Sequence, residues 1–394
     1  MSGNPMWGDD WQSVRDLWRL DPDVAHCNHG SFGAVPGPVL DLQNELRDRM
    51  AANPMAWFSR EMPARVSEAR AEVAAFLGAD PADIAFVTNV SAGISAVTES
   101  LQVGHEEEIV STSHIYGAVG YALERMSART GADRVVVEIP FDAGDEEVAD
   151  LLIGSVSERT ALVVIDQITS GSARRFPIEP VIAAAHAAGA AVLVDGAHAP
   201  GMLPLDLPAI GADFWTGNLH KWACTPAGSG VLWVAPRWQK ELHSLVVSWS
   251  EHEGFPLSFE RVGTNDLSAW LAAPATLQLL GEIGWDRIRA HNERLVGWAQ
   301  SMVAERLGTT GAGLRHDPGL SMAVVRLPRE IGDEGRAKAL QASLAAAGVE
   351  AAVGFRGPQG AGFGSLRLSA QVYNRPGDYE RLVDGILDFL GRSA

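Results

Sequence analysis

Short apolar runs rich in β-branched residues alternate along most of the chain with segments of helical period. The runs typical of buried strands lie at residues 83–88, 108–112, 134–139, 160–165, 191–194 and 230–234. Apolar residues with helical spacing lie between them, for example over residues 123–130, 146–154 and 178–188. Strands that alternate with helices in this order predict a mainly parallel sheet covered by helices on both faces.

The two ends of the chain have a different pattern. Helices are predicted near the amino end over residues 11–20, 39–52 and 62–77, with Trp57 and Phe58 in a loop. Beyond residue 266, helices are predicted over 267–281, 285–307 and 335–348, with strands over 321–327 and 365–368. The glycine-rich stretch 353–364 is predicted to be a flexible loop that covers the distal end of a substrate.

One buried run ends in a carboxylate. Asp195 follows the apolar residues 191–194 and precedes Gly196. Open α/β sheets bind ligands beyond the carboxyl ends of their strands, so Asp195 is a candidate ligand contact. The alternative is that its side chain only caps the following turn.

Lys221 lies in an aromatic and small-residue neighbourhood, between His220 and Trp222. Burial disfavours the ammonium form, and a desolvated lysine amine forms Schiff bases with carbonyl groups. The alternative is a lysine that buries its stem and keeps its head in water. A strand-end Asp followed by such a Lys is the pair that pyridoxal phosphate (PLP) requires, for the ring nitrogen and the aldehyde respectively.

With these residues in this order, the chain resembles a fold-type I PLP-dependent enzyme of the class V aminotransferase family. The segments D-G-A-H-A-P-G at Asp195 and N-L-H-K-W at Asn218 are more similar to the isopenicillin N epimerase branch than to the cysteine desulfurases. The resemblance implies an α/β fold: a large domain with a mainly parallel seven-stranded sheet flanked by helices, and a small C-terminal α+β domain. It divides the chain into an N-terminal segment (1–36) packed on the small domain, a PLP-binding domain (37–283) and the small domain (284–394).

The resemblance also implies which residues contact the cofactor. These are Ser91, Ala92, His114, Asp195, His198, Asn218, His220, Lys221 and Thr264. Ser91 opens a helix after a strand, where backbone N–H groups favour a phosphate, although such a serine alone is an ordinary N-cap. The family has an aromatic residue stacked on the pyridine ring; His114 aligns best with it, and Tyr116 is the alternative.

Substrate contacts are expected from a second set of residues. By resemblance these are Asn28, His29, Ser31, Tyr116, Asp166, Gln167 and Arg367, with Asp166 and Gln167 at the mouth of the site; Arg356, in the loop 353–364, is a further candidate. Arg367 is the family's arginine for the α-carboxylate, and its fork suits bidentate binding. Its alternative role is a surface ion pair. Arg356 either binds a second carboxylate or faces solvent.

The reaction implied by the resemblance begins with removal of the Cα proton of an amino acid joined to PLP. Lys221, Asp195 and His114 are the expected catalytic residues. Epimerisation is the first interpretation; C–S β-elimination, oxidative deamination and transamination are alternatives, and a non-enzymatic PLP sensor is another. No cysteine follows Cys224, so the persulfide mechanism of desulfurases is not expected. Arg261–Asn265 resembles a segment that crosses a dimer interface, which implies a homodimer with shared active sites and Thr264 acting across it.

The amino-acid composition limits which binding partners and which compartment are expected. The net charge is −18, from 31 basic and 49 acidic residues, and no basic cluster points to nucleic acid. Two cysteines indicate a reducing compartment without a disulfide framework. The amino end has no secretion signal, and no apolar run is long enough to span a membrane. A cytoplasmic enzyme without a metal site is therefore expected.

Overall fold

The computed structural model describes residues 11–311, 315–357 and 362–391, and its chain separates into two compact units. The larger unit comprises Pro38–Ser170 and Arg175–Leu279; the smaller comprises Met1–Gly37, Gly171–Arg174 and Leu280–Ala394. The short segment Gly171–Arg174 thus belongs to the smaller unit although both flanking segments belong to the larger one. A buried ion pair holds it there, with Arg174 Nε 3.3 Å from an oxygen of Asp317.

A seven-stranded sheet forms the centre of the larger unit. Its strands are β1 (Ile84–Val87), β2 (Glu108–Thr112), β3 (Asp133–Val137), β4 (Thr160–Asp166), β5 (Ala191–Asp195), β6 (Phe214–Asn218) and β7 (Gly230–Val234). Their order is β1-β7-β6-β5-β4-β2-β3. Strand β7 is antiparallel to both of its neighbours, and the remaining pairs are parallel. The predicted mainly parallel sheet of seven strands is confirmed.

The parallel arrangement places several chain turns at one edge of this sheet. Strands β5 and β6 are buried along their whole length, as expected for apolar strands covered by helices. Because β7 alone is reversed within the sheet, the other six strands end at the same edge. Asp166 and Asp195 are register partners there, and Asp195 is in turn paired with Thr216. The helix that follows β1 also begins at this edge.

Helices surround the sheet and link its strands. In the larger unit the α-helices are Pro54–Ala56, Met62–Phe76, Val90–Ser100, Gly117–Thr130, Asp145–Ile153, Ile178–Ala187, Leu207–Ile210 and Leu257–Glu260, and short 3-10 turns cover Pro81–Asp83, Pro236–Trp238 and Glu251–Glu253. Gly37–Ala52 and Ser268–Ile283 each cross a boundary between the units. Trp57 and Phe58, predicted in a loop, lie instead in a π-helical turn, Trp57–Glu61. Burial of the Trp57 ring favours continuing the helical path over a solvated loop.

The smaller unit contains a three-stranded antiparallel sheet packed on helices. Its strands are β8 (Met322–Arg326), β9 (Ala352–Arg356) and β10 (Phe363–Ser369), in the order β9-β10-β8. Its helices are Gln12–Arg15, Trp285–Leu307, Glu334–Ala346 and Pro376–Phe389. A parallel pair of two-residue strands, Ala25–His26 with Val349–Glu350, joins the amino-terminal segment to this unit.

Two predictions for the smaller unit were wrong in extent. The predicted helix over residues 11–20 is a single turn, Gln12–Arg15, because the chain then turns at Trp18, whose indole N–H donates to the Ala34 carbonyl. The predicted loop 353–364 begins as strand β9, since Val353 and Phe355 alternate toward the apolar core and outweigh the neighbouring glycines. Residues 358–361 of that loop lie outside the described residues. Within the described ranges, no helix is long and apolar enough to cross a bilayer.

A buried ion pair ties the helix Met62–Phe76 to the short helix Leu257–Glu260, which precedes residues 261–265. Arg70 Nε lies 3.3 Å from Glu260 Oε1, and both side chains are almost fully buried. The same oxygen accepts the N–H of Phe86 in β1 at 3.4 Å. Burial raises the pKa of Glu260 from 4.5 to about 7, against the opposing charge of Arg70.

This raised pKa makes stability depend on pH in a defined direction. Folded Glu260 retains its proton at pH values where the unfolded chain has lost it, so its contribution to stability is present below pH 4.5 and is lost as pH rises to about 7. Relative to Glu260→Gln, the wild-type free energy of unfolding should fall by about 3 kcal/mol between these limits. Urea unfolding at several pH values measures this, with Glu253→Gln, an exposed partner of Arg261, as the control. Parallel pH dependences of wild type and Glu260→Gln would contradict it.

Candidate active site

Asp195 is buried at the carboxyl end of β5. Its Oδ1 accepts the backbone N–H of Ala197 at 2.9 Å, which is the turn-capping interaction. That contact uses one carboxylate oxygen and leaves the second for another group, so capping and ligand binding are compatible. Burial raises the pKa of Asp195, while the hydrogen bond from the Ala197 amide opposes the rise.

Asp166 lies beside Asp195 rather than at an open mouth. It is 2% exposed, and its Oδ2 is shielded from solvent without a hydrogen-bond partner. Burial, reinforced by the charge of Asp195, raises the pKa of Asp166 well above its ordinary value. Two adjacent buried carboxyl groups do not readily ionise together. The arrangement therefore favours a neutral Asp166 next to an ionised Asp195.

Lys221, His198 and Trp222 form a hydrogen-bonded relay. The indole N–H of Trp222 donates to His198 Nδ1 at 3.1 Å, so Nδ1 is the unprotonated ring nitrogen. The neutral imidazole then carries its hydrogen on Nε2, which lies 3.1 Å from Lys221 Nζ. An ammonium group offers only donors, whereas a neutral amine accepts this hydrogen. Trp222 thus sets a tautomer that stabilises the nucleophilic form of Lys221.

A glycine brings the lysine segment close to the turn after β5. Gly201 has a φ of +85°, and a Cβ there would lie 2.5 Å from the backbone of Trp222. Such a contact is shorter than any side chain tolerates, and the left-handed conformation disfavours other residues. Gly201 therefore permits His198, in the same turn, to reach Lys221.

The start of helix Val90–Ser100 is held by two asparagines. Asn89 caps it by accepting the N–H of Ala92 at 3.0 Å, and Asn218, at the end of β6, accepts the N–H of Val90 at 3.0 Å. Ser91 is exposed in this first turn, beside Ala92. The positive end of the helix dipole makes such a turn favourable for an anion. Asn218 acts here on the helix start itself.

The surroundings of His220 favour its neutral form. Its Nδ1 lies 2.9 Å from the Ser229 carbonyl, so Nδ1 carries the hydrogen and donates it. Burial lowers the pKa of His220. Binding an anion through Nε2 would require the doubly protonated ring, which the burial disfavours.

The other predicted residues of the larger unit differ in exposure. The side-chain oxygen of Gln167 accepts the indole N–H of Trp215 at 3.0 Å. His114 is half-buried, with Nε2 3.0 Å from the Ile139 carbonyl and its ring 5.6 Å from that of Phe176. Two predicted residues, Tyr116 and Thr264, are exposed in this chain.

In the smaller unit the structure brings Arg367, Asn28 and Ser31 together. Arg367, on β10, donates to Asn28 Oδ1 at 2.9 Å and to Ser31 Oγ at 2.7 Å. Its exposure of 8% argues against a surface ion pair. His29 is also buried, with Nδ1 2.7 Å from the hydroxyl of Tyr373. The amino-terminal loop thus orients the arginine that was predicted to bind a carboxylate.

Comparisons with known proteins identify the family of this chain. The family model described as Aminotransferase class-V covers residues 34–382. An isopenicillin N epimerase of Streptomyces clavuligerus is 32% identical over 96% of this chain and 98% of its own length. A probable chloroplastic L-cysteine desulfhydrase of Arabidopsis thaliana is 30% identical over 93% of this chain and 83% of its own. The chain belongs to the class V aminotransferase family.

A solved structure supports the fold assignment. A variant of C-DES with glycine covalently linked to its PLP cofactor superposes with a TM-score of 0.79 at 19% identity, covering 95% of this chain and 99% of the other. The present protein is accordingly a PLP-dependent enzyme of the class V family. PLP supplies an aldehyde for amines and a protonated ring that withdraws electrons from Cα.

The residues of the larger unit fit this cofactor. The neutral amine of Lys221 suits the aldehyde, and the buried Asp195 suits the protonated ring nitrogen. The capped start of helix Val90–Ser100 suits the phosphate. The Nε2–H of His198 is a donor that suits the cofactor's ring oxygen.

Sequence reasoning missed the two tryptophans that orient this site. The sequence pattern presents Trp222 only as an aromatic neighbour of Lys221, and it gives Trp215 no role. Trp215 packs so closely on Gly196 that a Cβ there would lie 2.2 Å from its ring. The sequence does contain one signal for this role, which is the tryptophan directly after the lysine. A buried indole N–H usually donates to an acceptor, so such a tryptophan indicates a hydrogen bond near the lysine.

The tautomer set by Trp222 gives a testable consequence. Trp222→Phe keeps an aromatic ring but removes the donor to His198, so the orientation of Nε2–H toward Lys221 is lost. Losing one such hydrogen bond costs about 1–2 kcal/mol, which is about 5- to 30-fold in rate. We expect cofactor-free Trp222→Phe to incorporate PLP more slowly by this factor at pH 7, followed by visible absorbance. Trp270→Phe, which removes an N–H donated to the Gly228 carbonyl, is the control; wild-type kinetics in Trp222→Phe would refute the role.

Proposed function

We propose that the protein removes the Cα proton of an amino-acid substrate bound through PLP and returns it on the opposite face, as an epimerase of the isopenicillin N epimerase type. The observation that carries the proposal is the 3.1 Å contact between Lys221 Nζ and His198 Nε2, which favours the unprotonated amine. An unprotonated amine serves first as the nucleophile for the cofactor and then, once released, as the base at Cα. Similarity to the Streptomyces relative along almost the whole chain supports this choice.

The alternative is a C–S lyase that acts on a cysteine or a cysteine S-conjugate. Similarity to the Arabidopsis desulfhydrase supports it to a comparable degree. A desulfurase-type persulfide is disfavoured, because both cysteines of the chain, Cys27 and Cys224, are buried. Burial also raises the pKa of the Cys27 thiol well above its ordinary value, which keeps it unreactive.

Specific roles follow for the residues of the site. Asp195, kept ionised by a neutral Asp166 beside it, holds the proton on the cofactor's ring nitrogen. His114 stacks on the ring, Ser91 and Ala92 contact the phosphate, and Arg367 binds the α-carboxylate of the substrate.

We also propose a homodimer in which Thr264 acts on the partner's cofactor. Apolar side chains exposed over residues 245–249, among them Trp249 at 99%, support a protein interface on the larger unit.

The reaction is tested by incubating the loaded protein in D₂O with amino acids and cysteine S-conjugates. Epimerisation predicts Cα deuterium together with the opposite enantiomer, and no net loss of amino acid. Formation of pyruvate and ammonia would identify the lyase instead. A keto acid with hydrogen peroxide would indicate an oxidase, and a keto acid with aminated cofactor an aminotransferase. Lys221→Ala should abolish the catalysed exchange, whichever product follows.

Asp195→Asn should separate the ligand role from the turn-capping role. The amide still caps the turn through its oxygen but cannot keep the ring nitrogen protonated. We expect PLP content near wild type and a loss of turnover of at least about 100-fold, because a preorganised charge is removed from the reacting centre. Asp206→Asn, which changes an exposed helix-capping aspartate, is the matched control. Near-normal turnover of Asp195→Asn would show that Asp195 is only a cap.

A further inference from the structure

Arg356 and Arg367 project from the same face of the small sheet. Ala352 of β9 is the register partner of Arg367 on β10, so their side chains point the same way. Side chains alternate along a strand, and Arg356 lies four residues beyond Ala352 on the same face. The rise per residue places the two arginines roughly 14 Å apart at their Cα atoms.

The opposite face of this sheet is the core of the smaller unit. Leu366 and Leu368 are buried there, and Val353 and Phe355 pack against the same core. The face that bears the arginines therefore does not pack into this core. It presents Ala352 and Gly354 on β9 and Ser365 on β10 between the two guanidinium groups.

The sheet surface between Arg356 and Arg367 carries only small side chains. A Cβ placed on Gly354 would meet only Ser365 Oγ, at an ordinary contact distance of 3.5 Å. No other described atom lies within 4 Å of that position apart from the chain neighbours. The strand between Arg356 and Arg367 thus leaves room for an extended ligand.

Arg356 is a half-buried cation that lacks a carboxylate partner. Its guanidinium lies against Gly171, where a Cβ would be 1.7 Å from one of its nitrogens. Over residues 11–311, 315–357 and 362–391, no acidic side chain forms an ion pair with it, and its Nε is shielded without a hydrogen-bond partner. Burial lowers the pKa of Arg356, yet an arginine remains charged at neutral pH.

A neighbouring arginine, in contrast to Arg356, has a carboxylate partner. Arg174, three residues after Gly171 in the same short segment, is paired with Asp317. A partly desolvated charge without a counter-ion is costly unless a ligand supplies one. A guanidinium is well suited to binding a carboxylate or a similar oxyanion through two parallel hydrogen bonds.

We propose that Arg356 binds a second anionic group of the substrate while Arg367 binds its α-carboxylate. The substrate class is then an amino acid whose side chain, or whose attached conjugate, ends in a carboxylate or similar oxyanion. This inference rests on the proposed function for the role of Arg367. It favours a substrate longer than cysteine, whose single carboxylate would leave Arg356 unused.

The first test compares ligands that differ only at their distal end. The loaded protein is titrated with 2-aminoadipate, 2-aminopimelate and 2-aminosuberate, and with norleucine as the monocarboxylate, following the absorbance of the cofactor. The best dicarboxylate should bind about 10- to 100-fold more tightly than norleucine, the range expected for one charge-assisted contact. Arg356→Gln should abolish this preference without changing norleucine affinity, and Arg356→Lys should restore part of it.

Matched variants test whether the preference for dicarboxylates arises from the sheet surface between Arg356 and Arg367. Gly354→Val should weaken dicarboxylates but not norleucine, whereas Arg367→Gln should weaken both. Arg329→Gln, an exposed arginine of the same unit, should change neither. Equal wild-type affinity for norleucine and every dicarboxylate, or a preference that survives Arg356→Gln, overturns the inference.

A second measurement separates this inference from the proposed function. Calorimetry of the full chain without PLP, titrated with straight-chain dicarboxylates from glutarate to sebacate, depends on the two arginines and on no catalysis. Binding that is lost in Arg356→Gln supports the inference even if no amino acid reacts. Normal Cα exchange together with a failure of all dicarboxylates to bind refutes the inference and leaves the proposed function standing.

Discussion

The hydrogen bond from Trp222 to His198 is the constraint on which the active site depends. It fixes which imidazole nitrogen carries the hydrogen, and so it decides whether Lys221 faces a donor or an acceptor. A donor at that position stabilises the amine and opposes the ammonium. The reactive state of the lysine thus follows from a hydrogen bond between two other residues, in the manner of the partners that orient catalytic groups generally.

The sheet makes this arrangement possible because its parallel strands end at one edge. Asp166 and Asp195 meet there as register partners, and the capped helix start after β1 lies at the same edge. Small residues then allow the helices and strands at this edge to pack closely. Gly93 is one example, since a Cβ there would lie 2.3 Å from Thr216 Oγ1, so the helix packs closely on β6 only with glycine. Burial side by side raises the pKa of both Asp166 and Asp195, which disfavours ionising the two carboxyl groups together.

The sequence predicted the sheet well because buried parallel strands are continuous apolar runs, and their ends marked Asp195 directly. It predicted Lys221 through the order of motifs rather than through local pattern. It did not predict the role of Trp222, because a tryptophan beside a lysine reads equally as core packing. The prediction of a loop at strand β9 is wrong, because glycines obscure the alternation of Val353 and Phe355. The partly buried position of Arg356 could not be predicted from the sequence. It results from a contact with Gly171, which is distant in the sequence and has no pattern that points to Arg356.

The central claim is that Lys221 is the residue that carries the cofactor. Its direct test is borohydride reduction of the PLP-loaded protein, followed by proteolysis and mass mapping of the modified peptide. The account predicts one stoichiometric label on Lys221, retained in Lys240→Ala and absent from Lys221→Ala, with loss of the visible absorbance in the latter. Stoichiometric labelling of Lys240, or of any other lysine in the wild-type protein, would contradict it.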